Sequence, residues 1–403
     1  MKLSLSWIKD FVNIPEDMDM KQLAYDLTMD TVEVEDVEYL ADRFDHMVVG
    51  VIEDIEPHPN ADKLRVCKVD IGDGEIKDIV CGGINLEKGM RVAVSCPGAI
   101  VRWHGEGEPV EIKKSKLRGV ASYGMICASD EIGLGDLFPA SQEAEILDLS
   151  AFDVPAGTTL ADALDLNDVL LEIDNKSMTN RPDLWGHYGI AREIAALYNL
   201  PLAEIKPFDT DVQSDFNVEI ADPDRCPRYI GVEMSGVNVK EAPYQMQSRI
   251  WKVGMRPINA LVDITNYVML ATGNPTHAFD ADNISNHIVV RHAAENEKLL
   301  LLNDKELSLC TDDLVITDSE GPVALAGVMG GAKDSILPKT ERVILEVANF
   351  EAAGIRRTAL RYDNRTEASS RYEKAIDPER CGQALALSMQ YFKELYPEMK
   401  VTG

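Results

Sequence analysis

The chain has 403 residues, 45% hydrophobic and 27% charged, with 27 glycines and 19 prolines; this globular composition excludes a disordered or collagen-like chain and, at roughly 150 residues per domain, predicts two or three domains. Its 69 acidic against 40 basic residues leave a net charge of −29, a field that repels polyanions and, taken alone, argues against a nucleic-acid partner. No apolar run reaches the ~18 residues of a membrane span, residues 1–7 lack a signal peptide's apolar core, and seven scattered cysteines without a C-x-x-C suggest neither a disulfide framework nor a zinc ribbon, so a cytoplasmic protein with reduced thiols is expected.

In chain order, Asp19 and Gln22 make a capping box before Leu23, Ala24 and Leu27, and residues 31–37 alternate like a strand. Charge then changes along the chain. Residues 1–46 carry 4 basic and 12 acidic residues, 47–135 carry 11 and 14, 136–205 carry 3 and 13, and 206–403 carry 22 and 30. The nearly neutral second segment between two acidic ones marks a separate module.

That module reads as β-structure. Runs at 48–55, 64–71, 79–81 and 90–94 are separated by turn clusters such as Pro57-His58-Pro59-Asn60 and Gly72-Asp73-Gly74. Met90, Val92 and Val94 alternate with Arg91, Ala93 and Ser95, which predicts a half-buried strand. In the second run the apolar phase slips between Leu64, Val66 and Val69, Ile71, which predicts a bulge there. About five strands in this length fit a small barrel of the oligonucleotide-binding type (OB-fold). The turn residues His58, Asn60 and Lys63, and the run Lys113-Lys114-Ser115-Lys116-Leu117-Arg118, place donors and cations near one barrel surface. Phosphates held by such groups and a solvated edge strand are both readings of that pattern.

Beyond the module, residues 169–173 read as a strand, and Leu184, Tyr188, Ala191, Ala195 and Tyr198 form a helical stripe that Pro201 ends. The expected organisation is multidomain α+β: a discontinuous α/β unit of 1–40 with 153–205, a barrel of 41–152 inserted in it, and an α+β domain of 206–403. The close at Lys400-Val401-Thr402-Gly403 has no polar tail, so the chain reads as a fragment.

Three motifs in order carry a family resemblance: His58-Pro59-Asn60-Ala61-Asp62-Lys63-Leu64, Ile79-Val80-Cys81-Gly82-Gly83-Ile84-Asn85, and residues 117–127 from Leu117-Arg118-Gly119 to Met125-Ile126-Cys127. Together they resemble the tRNA-binding barrel of several translation proteins. With Met1-Lys2-Leu3-Ser4-Leu5-Ser6-Trp7-Ile8, Leu171-Glu172-Ile173-Asp174 and Asn180-Arg181-Pro182-Asp183 around it, the arrangement resembles the bacterial phenylalanyl-tRNA synthetase β subunit through to the last residue. Where that family commonly reads Thr-Pro-Asn-Arg, this chain has Met178-Thr179-Asn180-Arg181, a departure in a structural segment.

The third domain interrupts an apolar strand with an acid, Ile344-Leu345-Glu346-Val347-Ala348, and an unpaired carboxylate there costs several kcal/mol unless it has a partner or ligand. On residue type alone Glu346 reads as a salt-bridged structural acid and His277 as a structural histidine. The resemblance implies instead an editing domain that hydrolyses tyrosine wrongly esterified to phenylalanine tRNA, with Arg256, Asn266, Pro275, His277, Gly327, Glu346, Thr366 and Ala368 forming the pocket. It implies that Glu346 accepts the tyrosyl hydroxyl in a charge-assisted hydrogen bond, and that His277, Asn266 and Arg256 hold the terminal adenosine or orient the attacking water, with His277 orienting rather than deprotonating it as the working expectation. The chain has no Ser-His-Asp or Cys-His arrangement, no metal-ligand spacing, no P-loop and no Rossmann fingerprint. No metal or cofactor is therefore expected in this chain; the resemblance places ATP and Mg²⁺ in the complete enzyme. It also implies an α subunit, an (αβ)₂ heterotetramer and tRNA(Phe) as partners, and no membrane. The competing reading is a non-catalytic tRNA-binding and subunit-assembly module.

Overall fold

The computed structural model describes residues 1–208, 212, 214–285, 287–333 and 335–403. Contacts gather these into two compact units, Glu38–Leu170 and Met1–Val37 with Leu171–Gly403. The arms on either side of the insertion therefore share a unit with the residues from 206 onward.

Glu38–Leu170 is built on one antiparallel five-stranded sheet in the order Met125–Ile126, Arg91–Ser95, Met47–Pro57, Arg65–Asp70, Ile76–Cys81. The sheet curls until nearly closed. Tyr123 N donates to Asp78 O at 2.8 Å and Val80 N to Ser122 Oγ at 3.0 Å, so the segment entering one edge strand lies along the opposite edge. Ile52, Cys67, Val69, Ile79, Val92 and Val94 fill the interior.

Two local expectations are corrected here. The bulge lies in Met47–Pro57, where the register shifts between Ile52 and Asp54, and the pairing of Arg65–Asp70 with Ile76–Cys81 is regular. The phase slip at 64–71 thus records an extra residue on the neighbouring strand. Arg91–Ser95 is buried on both faces, with Ala93 and Ser95 as covered as Val92 and Val94. The segment after the sheet continues the pairing along this strand: Cys127 N donates to Ala93 O and Leu149 N to Arg91 O.

In the other unit, the helix Met20–Asp30 is capped by Asp19, whose side chain accepts from Lys21 N at 2.9 Å. The reciprocal half of the predicted box is absent, because Gln22 donates to Asp26 one turn on. The helix His187–Tyr198 ends at Asn199 in the left-handed region, two residues before Pro201. Lys2–Ser4, Val169–Ile173 and Val34–Tyr39 form a small three-stranded sheet in that order.

Two further sheets position the site. The first runs Thr276–Asp280, Arg342–Asn349, Arg228–Ser235, Lys400–Val401, all antiparallel. The second runs Asn217–Ile220, His287–His292, Leu314–Thr317, Pro322–Leu325, Met329–Gly330, parallel at the first pair and antiparallel thereafter. One face of Arg342–Asn349, carrying Ile344 and Ala348, shares a core with Ile288, Val290, Val315 and Leu325 of the second sheet. The other face, Val343, Leu345 and Val347, is also buried, and the helices Ala260–Thr272 and Arg380–Leu395 pack along these strands. A strand covered on both faces has no solvated side for an acid, so Glu346 must lie in the layer between the sheets.

Candidate active site

Glu346 occupies the middle of Arg342–Asn349, directly opposite His277 on one neighbouring strand and Gly231 on the other. Directly opposed residues project from the same face, with Cβ atoms about 5 Å apart. The register thus brings together an acid and an imidazole far apart in sequence. They face a small open pocket of about 70 Å³ lined also by Pro275, Gly327, Met329, Gly330, Ala368 and Tyr372.

Glu346 is 6% exposed, and burial pushes its carboxyl up from 4.5 to about 8. Among the described residues no basic side chain opposes that shift. Tyr229, diagonal to it on Arg228–Ser235, is near enough to pull the value down, although its hydroxyl meets no partner in hydrogen-bonding geometry among the described residues. Burial therefore favours the neutral acid over the carboxylate at neutral pH. Burial lowers His277 from 6.5 to about 4, so the imidazole is neutral too. Two neutral groups face each other across the strands, and no ion pair joins them.

The surroundings hold these side chains in place. His277 stands edge-on to Phe279, ring centroids 4.6 Å apart. Pro275 needs no ladder partner for a backbone N–H at the start of an edge strand, and its carbonyl accepts from Asn274 Nδ2 at 3.0 Å and Tyr372 Oη at 3.2 Å. Tyr372 also donates to Ala348 O at 3.0 Å, which ties the helix Glu367–Tyr372 to both strands. Gly327 has φ +66°, and a Cβ there would meet Ile355 and Phe350 at 2.9 Å.

Gly330 faces the imidazole. A Cβ at Gly330 would come within 2.7 Å of His277 Nε2. Gly330→Ala is expected to turn the His277 ring out of its position and to cost about 1–3 kcal/mol by overpacking, read as a displaced imidazole resonance by NMR and a lower urea midpoint. An unmoved resonance would show that the ring is not held there.

Of the eight predicted pocket residues, Pro275, His277, Gly327, Glu346 and Ala368 line this cavity, and three do not. Thr366 lies behind the wall: it caps Glu367–Tyr372 in a capping box with Ser369 and donates to Val328 O at 2.8 Å. Asn266 is half-buried on Ala260–Thr272, beside Thr265, whose carbonyl accepts from Thr276 Oγ1 at 3.2 Å. Arg256 is exposed in the loop before that helix. Tyr372 and Tyr229 were not anticipated. Tyr372 follows Ala368 by four residues, which puts both on one helix face, and that spacing was available as a signal; Tyr229 joins the site through strand register alone.

In Glu38–Leu170 the candidate RNA contacts divide into two groups. The side chains of His58 and Asn60 are used internally. His58 is 6% exposed; its Nδ1 accepts from Asn60 N at 3.0 Å, so Nε2 carries the proton and donates to Leu117 O at 3.1 Å. Asn60 Nδ2 donates to Arg118 O at 3.0 Å. These bonds pin the hairpin Ser115–Leu117 and Val120–Ser122, whose two-residue turn Arg118-Gly119 has both φ values positive, as a tight hairpin requires. The motif residues expected to contact phosphate thus hold the hairpin that carries the cations. Lys63, Lys116 and Arg118 are exposed, Lys113 pairs with Glu111 at 3.2 Å, and Lys114 lies 5.0 Å over the Tyr123 ring.

Two family models match: a putative tRNA binding domain over residues 47–158 and a B3/4 domain over residues 225–397. The chain is 41% identical over 391 residues to the phenylalanine–tRNA ligase β subunit of Oceanobacillus iheyensis, covering 95% of this chain and 47% of that protein. It is 41% identical over 382 residues to the protein of the same name from Pectobacterium atrosepticum, covering 94% and 46%, and 40% identical over 407 residues to that from Thermosynechococcus vestitus, covering 98% and 48%. The chain spans about half the length of the curated relatives it matches. Across nearly all of its own length, therefore, the chain belongs to the family of phenylalanine–tRNA ligase β subunits.

Proposed function

We propose that this chain is the tRNA-handling and proofreading part of a phenylalanine–tRNA ligase β subunit, and that the pocket around Glu346 and His277 hydrolyses tyrosyl-tRNA(Phe). The observation that carries this reading is Glu346 itself: an acid in the centre of a strand buried on both faces, without a cation, turned into an open pocket opposite His277. A structural acid at such a position would be paired. An acid that awaits a polar ligand need not be.

A protonated carboxyl has one donor and an acceptor oxygen, so Glu346 can both donate to and accept from a phenol hydroxyl. A phenylalanyl ester of the same shape would strand these polar atoms, at a cost of about 1–3 kcal/mol. The need for a second pocket follows from the first reaction, since an apolar synthetic site rejects an added hydroxyl by only about a hundredfold. Neutral His277 has one ring nitrogen free to accept from water and one to donate, and among the described residues no protein group in hydrogen-bonding geometry occupies either. It orients the water that attacks the ester carbonyl; the carbonyl carbon gains the water oxygen, the bond to the ribose oxygen breaks, and the ribose oxygen takes up a proton. Asn266 and Arg256, whose side chains make no hydrogen bond among the described residues, hold the terminal nucleotide outside the pocket. Thr366 keeps the Val328 wall in place.

The curled antiparallel sheet of Glu38–Leu170 serves as an OB-fold tRNA-binding module, with Lys63, Lys113, Lys114, Lys116 and Arg118 as its phosphate contacts. Charging with ATP and Mg²⁺ belongs to the complete (αβ)₂ enzyme and its α subunit.

Deacylation of tyrosyl-tRNA(Phe) by the wild-type chain and by His277→Ala tests this reading. The variant is expected to lose about a hundredfold in rate, the usual penalty for a misplaced reactant. Equal rates would remove His277 from the reaction, and wild-type turnover no faster than the spontaneous rate would favour the scaffold reading.

A further inference from the structure

Tyr229 is 9% exposed, and its hydroxyl has no partner in hydrogen-bonding geometry among the described residues. A stranded hydroxyl costs about 1–3 kcal/mol that phenylalanine would avoid, so packing alone does not explain a tyrosine here. Its position is informative. Tyr229 pairs with Ala348 and stands two residues from Gly231, the residue opposite Glu346. It therefore projects from the same face as Glu346, and the intervening position carries no side chain.

The other groups around Glu346 leave little for it to bind. From the neighbouring strand Thr276–Asp280 comes neutral His277, from the helix Glu367–Tyr372 comes Tyr372, and before Arg228–Ser235 lies the buried thiol of Cys226. Tyr372 has already committed its hydroxyl to two carbonyls. No charged side chain faces the carboxyl from any of these elements. Tyr229 Oη is the buried donor with nothing else to do.

We propose that Tyr229 is a positioning residue of the pocket: its hydroxyl turns to donate to one Glu346 oxygen in the free protein and holds the carboxyl so that the other oxygen meets the tyrosyl hydroxyl when substrate enters. The specificity part of this inference rests on the proofreading reading; the Tyr229–Glu346 contact does not. The geometry makes Tyr229 the second layer of the discrimination, acting through Glu346 and not on the ester.

Tyr229→Phe tests both parts, and since it deletes an unpaired hydroxyl it preserves the packing. The Glu346 carboxyl is titrated by infrared difference spectroscopy in wild type and variant, with Glu346→Gln assigning the band, and the ratio of tyrosyl- to phenylalanyl-tRNA(Phe) hydrolysis is measured in parallel. Loss of a donor to the ionised form is expected to raise the Glu346 midpoint by about half a pH unit or more and to lower the hydrolysis ratio by about three- to tenfold. An unchanged midpoint overturns the contact whatever the hydrolysis does. A raised midpoint with an unchanged ratio overturns the specificity role. Wild-type protein that cleaves neither ester overturns the proofreading reading and the specificity role with it, while the titration still decides the contact.

Discussion

Glu346→Gln is expected to stabilise the protein increasingly as pH rises from 5 to 8. The carboxyl titrates near 8 in the folded chain against an ordinary 4.5, so between those values the folded state holds a proton that the unfolded state has released. Stability then falls with rising pH by about 1.4 kcal/mol per unit. Across the interval that amounts to roughly 5 kcal/mol, an order-of-magnitude figure for a fully buried acid. Glutamine keeps the shape and the polar atoms but does not ionise. The two proteins should be nearly equally stable below pH 5 and diverge by several kcal/mol at pH 8, read from urea unfolding at four pH values. His277 works in the opposite sense: its lowered value means that stability is lost as pH falls from 6.5 toward 4. That term is common to both proteins and cancels in the comparison. Parallel pH profiles would show that Glu346 is ionised in the folded chain at neutral pH.

Glu346→Ala should reduce discrimination between tyrosyl and phenylalanyl esters by about tenfold to a hundredfold, the value of one buried polar group left without its partner. The loss should come from faster phenylalanyl-tRNA cleavage and slower tyrosyl-tRNA cleavage together. Removal of the carboxyl relieves the penalty for the apolar ring and deletes the contact that favours the hydroxyl. Glu346→Gln, which retains a donor and an acceptor, should fall between wild type and alanine in the kcat/KM ratio. The pair of variants thus separates hydrogen bonding from charge: equal effects would mean that ionisation matters, and an unchanged ratio in both would remove Glu346 from specificity.

How far the site could be read in advance follows from the range of each interaction. Glu346 was legible because an acid inside an apolar run is costly wherever the strand lies. Its register with His277 was not, because antiparallel pairing of two distant strands leaves no local mark. The protonation of Glu346 also needs the fold, since it depends on which cations face the carboxyl, and among the described residues none do. Thr366 shows the limit from the other side: Thr366 and Ser369 have capping-box spacing, and the structure uses the hydroxyl as a cap rather than in the pocket wall.

The barrel module shows the same division. Its strands and turns could be predicted from alternation and Gly and Pro punctuation. The bulge was sensed through Leu64 to Ile71, yet the extra residue belongs to the paired strand. His58 and Asn60 were picked out by motif, but their bonds to Leu117 and Arg118 close a long loop, which no sequence window contains. A net −29 speaks against indiscriminate polyanion binding, while the exposed cations Lys116 and Arg118 lie on the pinned hairpin.

The central claim is that a neutral buried acid selects a hydroxylated aromatic ester for hydrolysis. It is tested most directly by the initial rates at which the wild-type chain deacylates tyrosyl-tRNA(Phe) and phenylalanyl-tRNA(Phe) at pH 7. The account predicts tyrosyl cleavage well above the spontaneous rate and faster than phenylalanyl cleavage by at least about a hundredfold; equal rates for the two esters would contradict it.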